Sequence, residues 1–257
     1  MLILLCVTAF SASLLTFFSG FGLGTILMPV FAVFVPLPMA VALTAIVHLA
    51  NNIFKFFLTF RHLNKQVLLR FGVAAVLAAF FGAWCLRVLS APFLLTQYTL
   101  AGREFQITAL KIIMAAVMIL FVLFDIVPAF QKLWVRKHSL IWGGVLSGFF
   151  GGLSGHQGAL RSAFLSKEGS LNKESFIATG VTIACAVDVI RLAVYAQGYQ
   201  WADLREQGTL LLLAVTAAWL GAWVGQRLLK KVTMEAVQKL VSLMLIIFAF
   251  LLALGII

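Results

Sequence analysis

From Met1 to Phe54 the chain carries no Asp, Glu, Lys or Arg, and Lys55, within Ala50-Asn51-Asn52-Ile53-Phe54-Lys55-Phe56-Phe57, is its first charged side chain. No soluble domain can cover itself with such a segment, because it has too few groups for water to bind. Charge-free runs return at Phe71 to Leu86, Ser139 to Leu160, Gln207 to Gln226 and Leu240 to Ile257. Each approaches or reaches the ~20 residues that a helix needs to cross the hydrocarbon of a bilayer. Only 11% of the residues are charged, whereas soluble domains average about 25%. The expected environment is therefore the lipid bilayer. The runs lack the apolar/polar alternation of about ten residues that marks an outer-membrane barrel, so the spans are read as helices.

A formal net charge of +11 would suit nucleic acid in a soluble protein. Here the Lys and Arg gather at the ends of apolar runs, as in cytoplasmic loops of membrane proteins, so the basicity is read as topology and no nucleic-acid partner is expected. The opening MLILLCVTAF has no basic n-region, which argues for a first span with its amino end outside rather than a cleaved signal. Cys6, Cys85 and Cys185 each sit inside an apolar run without CxxC spacing, so they read as structural thiols and not as a disulfide framework or metal site.

Turn residues and charges divide the chain into segments 2–18, 21–35, 39–60, 67–88 and 107–127, then 139–153, 156–166, 173–196, 207–229 and 234–257. Pro36 and Pro38 mark one break. Segments 21–35 and 156–166 follow glycines (Gly20, Gly22 and Gly24; Gly151, Gly152, Gly155 and Gly158), and each is expected to fold back on its predecessor. The two halves also repeat in register. Ser19-Gly20 returns as Ser154-Gly155, Asn52-Ile53-Phe54-Lys55 as Asp188-Val189-Ile190-Arg191, and Gly82-Ala83-Trp84 as Gly221-Ala222-Trp223.

Basic connections (Arg61, Lys65, Arg70; Lys132, Arg136, Lys137; Arg227, Lys230, Lys231) are expected in the cytoplasm, and the acidic connection around Asp203, Arg205 and Glu206 outside. The loop at 61–70 and its counterpart at 197–206 then fall on opposite faces, as five segments per half require. The expected fold is an all-α, multi-pass helix bundle of two inverted repeats with Gly-rich interrupted or re-entrant helices at its centre. Residues 1–127 form the first repeat, 128–138 a cytoplasmic linker and 139–257 the second repeat. Inverted repeats meeting near the midplane are a recurrent plan of secondary transporters.

The opening SGFGLGTILMP, the polar TAIVHLANNIFKFF after it, and their second copies GGLSGHQGALRSAF and ATGVTIACAVDVIR resemble the sulfite exporter TauE/SafE family of membrane transporters over essentially the whole chain. The glycine clusters depart from the family's denser pattern, with Thr25 after Gly24 and His156-Gln157 in the second copy. The resemblance implies a secondary transporter in the bacterial cytoplasmic membrane that moves sulfite, a sulfonate or a similar organosulfur anion by alternating access. Carriage of a small carboxylate and a non-transporting scaffold subunit are the alternatives. A proton or sodium ion is a possible coupling partner, and no cofactor or metal is expected.

An anion in a low-dielectric interior needs donors in place of its hydration shell, and unwound backbone at helix amino ends offers free N–H groups. On this reading Gly22, Gly24 and Thr25 from one half face Gly155, His156, Gln157 and Gly158 from the other. Taken singly, each glycine also reads as close helix packing. Thr44, His48, Asn51, Asn52 and Lys55 fall mostly along one helix side, and Thr182, Asp188 and Arg191 repeat the theme. Asp188 and Arg191 can form a structural or a functional ion pair; Lys55 either snorkels to the cytoplasmic edge or closes the polar stripe. His48 is an interior histidine or a proton carrier, and Arg161 an anion contact or a snorkelling cation. Catalysis lacks parts: the chain has no HExxH or GxxxxGK[ST] string, and only Asp125 and Asp188 among its acids fall well inside candidate spans. The expectation is a non-enzyme.

Overall fold

The structure is a computed structural model that describes residues 2–16, 22–91, 93–127, 140–198, 206–228 and 234–257. Helices α1 (Leu2–Leu15), α2 (Leu23–Ala32), α3 (Leu37–Thr59) and α4 (Lys65–Leu89) come first, followed by strands β1 (Leu94–Leu100) and β2 (Arg103–Thr108) and helix α5 (Ala109–Ile126). Then come α6 (Leu140–Ser154), α7 (Gln157–Leu165), α8 (Lys173–Tyr195), α9 (Gly208–Leu228) and α10 (Met234–Ala253). The linker 128–138, Ser19-Gly20, Asp203 and Arg205 lie outside the described residues.

Helices α3, α4, α5, α8 and α9 are long and apolar enough to cross a bilayer. Their ends follow local chemistry. Pro36 precedes α3, where a missing N–H does no harm. Asn64 Oδ1 accepts from Val67 N at 3.0 Å to open α4, and Asn172 Oδ1 accepts from Ser175 N at 2.8 Å to open α8. By contrast α2 has 10 residues and α7 has 9, so at 1.5 Å per residue each reaches about half the hydrocarbon depth.

Packing exchanges partners between the halves. Helix α1 lies along α9 and α6 along α4, while α3 packs on α8 and α5 on α10. Both exchanged pairs are parallel and ride on glycine. A Cβ at Gly144, Gly148 or Gly152 of α6 would land on the carbonyl oxygens of Phe71, Ala75 and Ala79 of α4. Such contact lets backbones approach where lipid removes the hydrophobic drive for association. Gly82 of α4 meets the Phe149 carbonyl of α6, and Gly221 of α9 meets the Phe10 carbonyl of α1; the interval from 82 to 221 equals that from 10 to 149. Leu77, Phe81 and Trp84 of α4 and Leu212, Leu220 and Trp223 of α9 are exposed, forming surfaces suited to lipid.

The all-α expectation has one addition. Residues 94–108 form an antiparallel hairpin whose two-residue turn places Ala101 at φ 52° and Gly102 at φ 75°, both positive as a tight hairpin of this kind requires. The hairpin sits over the end of α10, with Tyr98 Oη donating to the Leu254 carbonyl at 2.6 Å.

Candidate functional site

Helices α3 and α8 run antiparallel: His48 meets Asp188, and Asn64 N donates to Thr179 Oγ1 at 3.0 Å. Where they cross, the two polar stripes become one network. His48 Nδ1 is 2.6 Å from Asp188 Oδ2, while Arg191 Nε and Nη2 stand 2.9 and 2.8 Å from Asp188 Oδ1. Gln157 Nε2 donates to the same oxygen at 3.1 Å, and its Oε1 accepts from Arg161 Nη1 at 3.2 Å. Asp188 has no solvent exposure, so this carboxylate is solvated entirely by side chains, drawn from α3, α7 and α8.

The stripe continues along α3. Asn52 Nδ2 lies 3.1 Å from His48 Nδ1. The Asn51 amide satisfies both its ends when Nδ2 donates to Ser13 Oγ at 3.0 Å and to the Ala218 carbonyl at 3.3 Å. Its Oδ1 then accepts from Lys55 Nζ at 3.3 Å. Lys55 is only 4% exposed and is held inside the bundle, not snorkelling to its rim.

The glycine breaks meet beside His48. Gly155 has φ +82°, a conformation that favours glycine, and a Cβ there would stand 2.8 Å from Arg191 Nη1 and push the guanidinium aside. A Cβ on Gly24 would lie 3.5 Å from the Gly155 carbonyl oxygen, 3.6 Å from His48 Cδ2 and 3.8 Å from Thr44 Cγ2. The amino ends of α2 and α7 therefore converge on the network. Neither Gly22 nor His156, the residues before their first turns, supplies a side-chain cap, so α2 and α7 present first-turn N–H groups and the positive ends of their dipoles.

The expected residues divide by surroundings. Gly24, Thr44, His48, Asn52, Gly155, Gln157, Arg161, Asp188 and Arg191 surround the crossing; Asn51 and Lys55 extend it toward the Thr59 end of α3. Thr44 is buried with no hydrogen-bond partner for Oγ1. His156 is buried, its Nδ1 3.0 Å from Ser154 Oγ, its ring against Phe121 and its Nε2 without a partner. Gly158 is buried in the first turn of α7, and Thr25 is half-buried on α2. Gly22, at φ +114°, makes the turn into α2, where an added Cβ would press on Thr16 and approach Val241. The Thr182 hydroxyl donates to the Ala178 carbonyl of its own helix at 2.8 Å.

Three participants were not foreseen: Ser13 as partner of Asn51, the Gly151 carbonyl accepting from Arg191 Nη1 at 3.4 Å, and Tyr195, which donates to the Gly152 carbonyl. Tyr195 follows Arg191 by four residues and thus shares its helix side, a signal that was present in the sequence.

Electrostatically the site is lopsided. Among the described residues the buried Lys, Arg, Asp and Glu are Lys55, Arg161, Arg191 and Asp188, three basic side chains against one carboxylate. Above Arg191 a cavity of about 670 Å3 opens between the ends of α3, α4 and α8 and the start of α9. Pro36, Met39, Leu86, Arg87, Tyr195 and Gln207 are among its lining. Arg191 lies toward this face, and Lys55 toward the opposite one.

No curated protein and no solved structure matches the chain. A family match spans residues 5–252, nearly the whole chain, and covers the short helices α2 and α7, the α3/α8 crossing and the exchanged helix pairs. This multi-pass membrane protein belongs to the sulfite exporter TauE/SafE family of transporters.

Proposed function

We propose that the protein carries a small sulfur oxyanion or sulfonate through the α3/α8 crossing by alternating access. The observation that carries this reading is the excess of buried basic side chains, three against one carboxylate, with Arg161 and Arg191 at the meeting point of two helix amino ends and Lys55 further along α3. Uncompensated positive charge inside a membrane is expensive, and an anion bound there relieves it. Sulfur oxyanions and sulfonates suit the donor set. They present several acceptor oxygens on one centre, matched by the planar fork of Arg191, the Gln157 amide and backbone N–H groups of α2 and α7.

Residues 1–127 and 139–257 are read as two copies of one unit in opposite orientation. The exchanged pairs α1/α9 and α6/α4, the matched glycine contacts of Gly82 and Gly221, and the antiparallel α3/α8 pair support this reading. In such an arrangement the two ends of the site become equivalent. Rocking of one half against the other opens Arg191 toward the large cavity, or Lys55 toward the other face. Arg61, Lys65 and Arg70 support a cytoplasmic reading of the Lys55 face, and membership of the family supports the bacterial cytoplasmic membrane as its place.

The experiment is flux of labelled sulfite, thiosulfate and simple sulfonates into proteoliposomes. Asn52→Leu and Gln157→Leu each remove an amide from a dehydrated site, an expected loss of about 1–3 kcal/mol, or roughly five- to 150-fold in affinity. Normal transport by both folded variants would sink the shared central site.

A further inference from the structure

We infer that the His48–Asp188 pair is the binding site of a coupling proton that moves together with the anion; this rests on the transport reading above. In the described state Asp188 occupies the guanidinium of Arg191 through Nε and Nη2, with His48 on its other oxygen. Those N–H groups are the ones an oxyanion would use. An anion that takes Arg191 must displace the carboxylate, which then faces a dry interior without its cation.

The displaced carboxylate keeps the Gln157 amide on Oδ1 at 3.1 Å and the His48 ring 2.6 Å from Oδ2, and of these two only the imidazole can take up a proton. A proton taken up by His48 gives the carboxylate an imidazolium partner in place of the guanidinium. The anion takes the two N–H groups of Arg191 that Asp188 had held, and the proton supplies Asp188 with a new partner, so neither the guanidinium nor the carboxylate is left unpaired. On release the anion leaves Arg191, Asp188 returns to the guanidinium, and the proton leaves to water on the same side. Each favours the other's binding, so the two move in the same direction.

The pair is also placed to link chemistry to movement. His48 belongs to α3 of the first half and Asp188 to α8 of the second, and any rocking between the halves works across this bond. The titratable and charged groups facing it are Lys55 on α3, Arg161 on α7 with His156 before it, and Cys185, Arg191 and Tyr195 on α8. Helices α2 and α6 contribute none; α4 has Lys65 and Arg70 in its first turns and Cys85 and Arg87 near its other end, and α9 has Arg227 in its last turn.

The test uses the full chain in proteoliposomes with a trapped pH dye and the membrane potential clamped at zero. Isethionate and methanesulfonate are the probes, because they remain anionic near neutral pH and cannot carry protons themselves, as sulfite can. Coupling predicts that inward sulfonate flux acidifies the lumen with one proton per anion. An alkaline-inside gradient of one pH unit should concentrate the sulfonate about tenfold. In His48→Gln the proton-to-anion ratio should fall toward zero, whatever the rate. Sulfonate entry without acidification overturns the coupling and leaves the transport reading intact. A ratio of one retained in His48→Gln overturns the assignment to this pair. Absence of flux for both sulfonates, sulfite and thiosulfate overturns the transport reading and the coupling with it.

Discussion

At the residue scale, the two central glycines make different demands. Gly155 combines a left-handed backbone with the Arg191 guanidinium where a Cβ would go, whereas a Cβ on Gly24 would meet only ordinary contacts. Gly155→Ala should therefore cost about 1–2 kcal/mol in backbone strain alone and displace Arg191, while Gly24→Ala should stay near wild type. Anion-binding isotherms of the purified variants would show this contrast, and equal losses would contradict it. Asp188→Ala leaves buried cations without their carboxylate, a change worth roughly 3–5 kcal/mol when a buried pair is broken. Its thermal unfolding in detergent should fall well below that of Asn52→Leu. The polar residues themselves were legible in the sequence, since charges and amides stand out in an apolar run and fall along one helix side. Their partners were not: nothing in the spacing of His48 and Asp188 says that they touch.

Among elements, the most exacting contacts belong to α4 and α6. Gly144, Gly148 and Gly152 recur every four residues, so one face of α6 is bare of side chains and the Phe71, Ala75 and Ala79 carbonyls seat against it. Gly148→Leu should separate the helices and lower stability by about 1–3 kcal/mol or more, read as a drop in the thermal midpoint. Gly221→Leu, against Phe10 of α1, should do comparable damage in the other half. A fall confined to Gly148→Leu would argue against equivalent roles. Helix positions were readable from the runs of apolar residues and from the break at Pro36 and Pro38. The hairpin at 94–108 escaped that reading; beyond its own pairing it is tied down by distant contacts, Tyr98 Oη on the Leu254 carbonyl and Lys111 Nζ of α5 between the Gln106 carbonyl at 2.9 Å and the Gly255 carbonyl at 3.2 Å.

For the whole molecule, the parallel and antiparallel pairings group the element ends into two faces. The ends near Leu37, Leu89 and Tyr195 share the large cavity, and the ends near Thr59 and Lys173 share the other face, joined by the Asn64–Thr179 bond. With the basic face inside, a cysteine placed at Gly102 in a cysteine-free background should react with an impermeant maleimide in intact cells, and one at Gly169 only after permeabilisation. Reversed labelling would invert the assignment, and labelling of both from outside would break the two-face arrangement. Composition alone determined the solvent: a chain uncharged from Met1 to Phe54 must lie in lipid, and lipid obliges its backbone to form helices. The repeated glycine and polar strings suggested that the halves correspond. Only the tertiary structure decided that α1 pairs with α9 and α6 with α4, and that Asp188 is shared by His48, Gln157 and Arg191. The physical reason is that periodicity reports which side of a helix avoids lipid, whereas the identity of the neighbour on that side depends on how closely two backbones can approach. That distance is set jointly by residues far apart in the chain, such as Gly82 with Phe149 and Gly155 with Arg191.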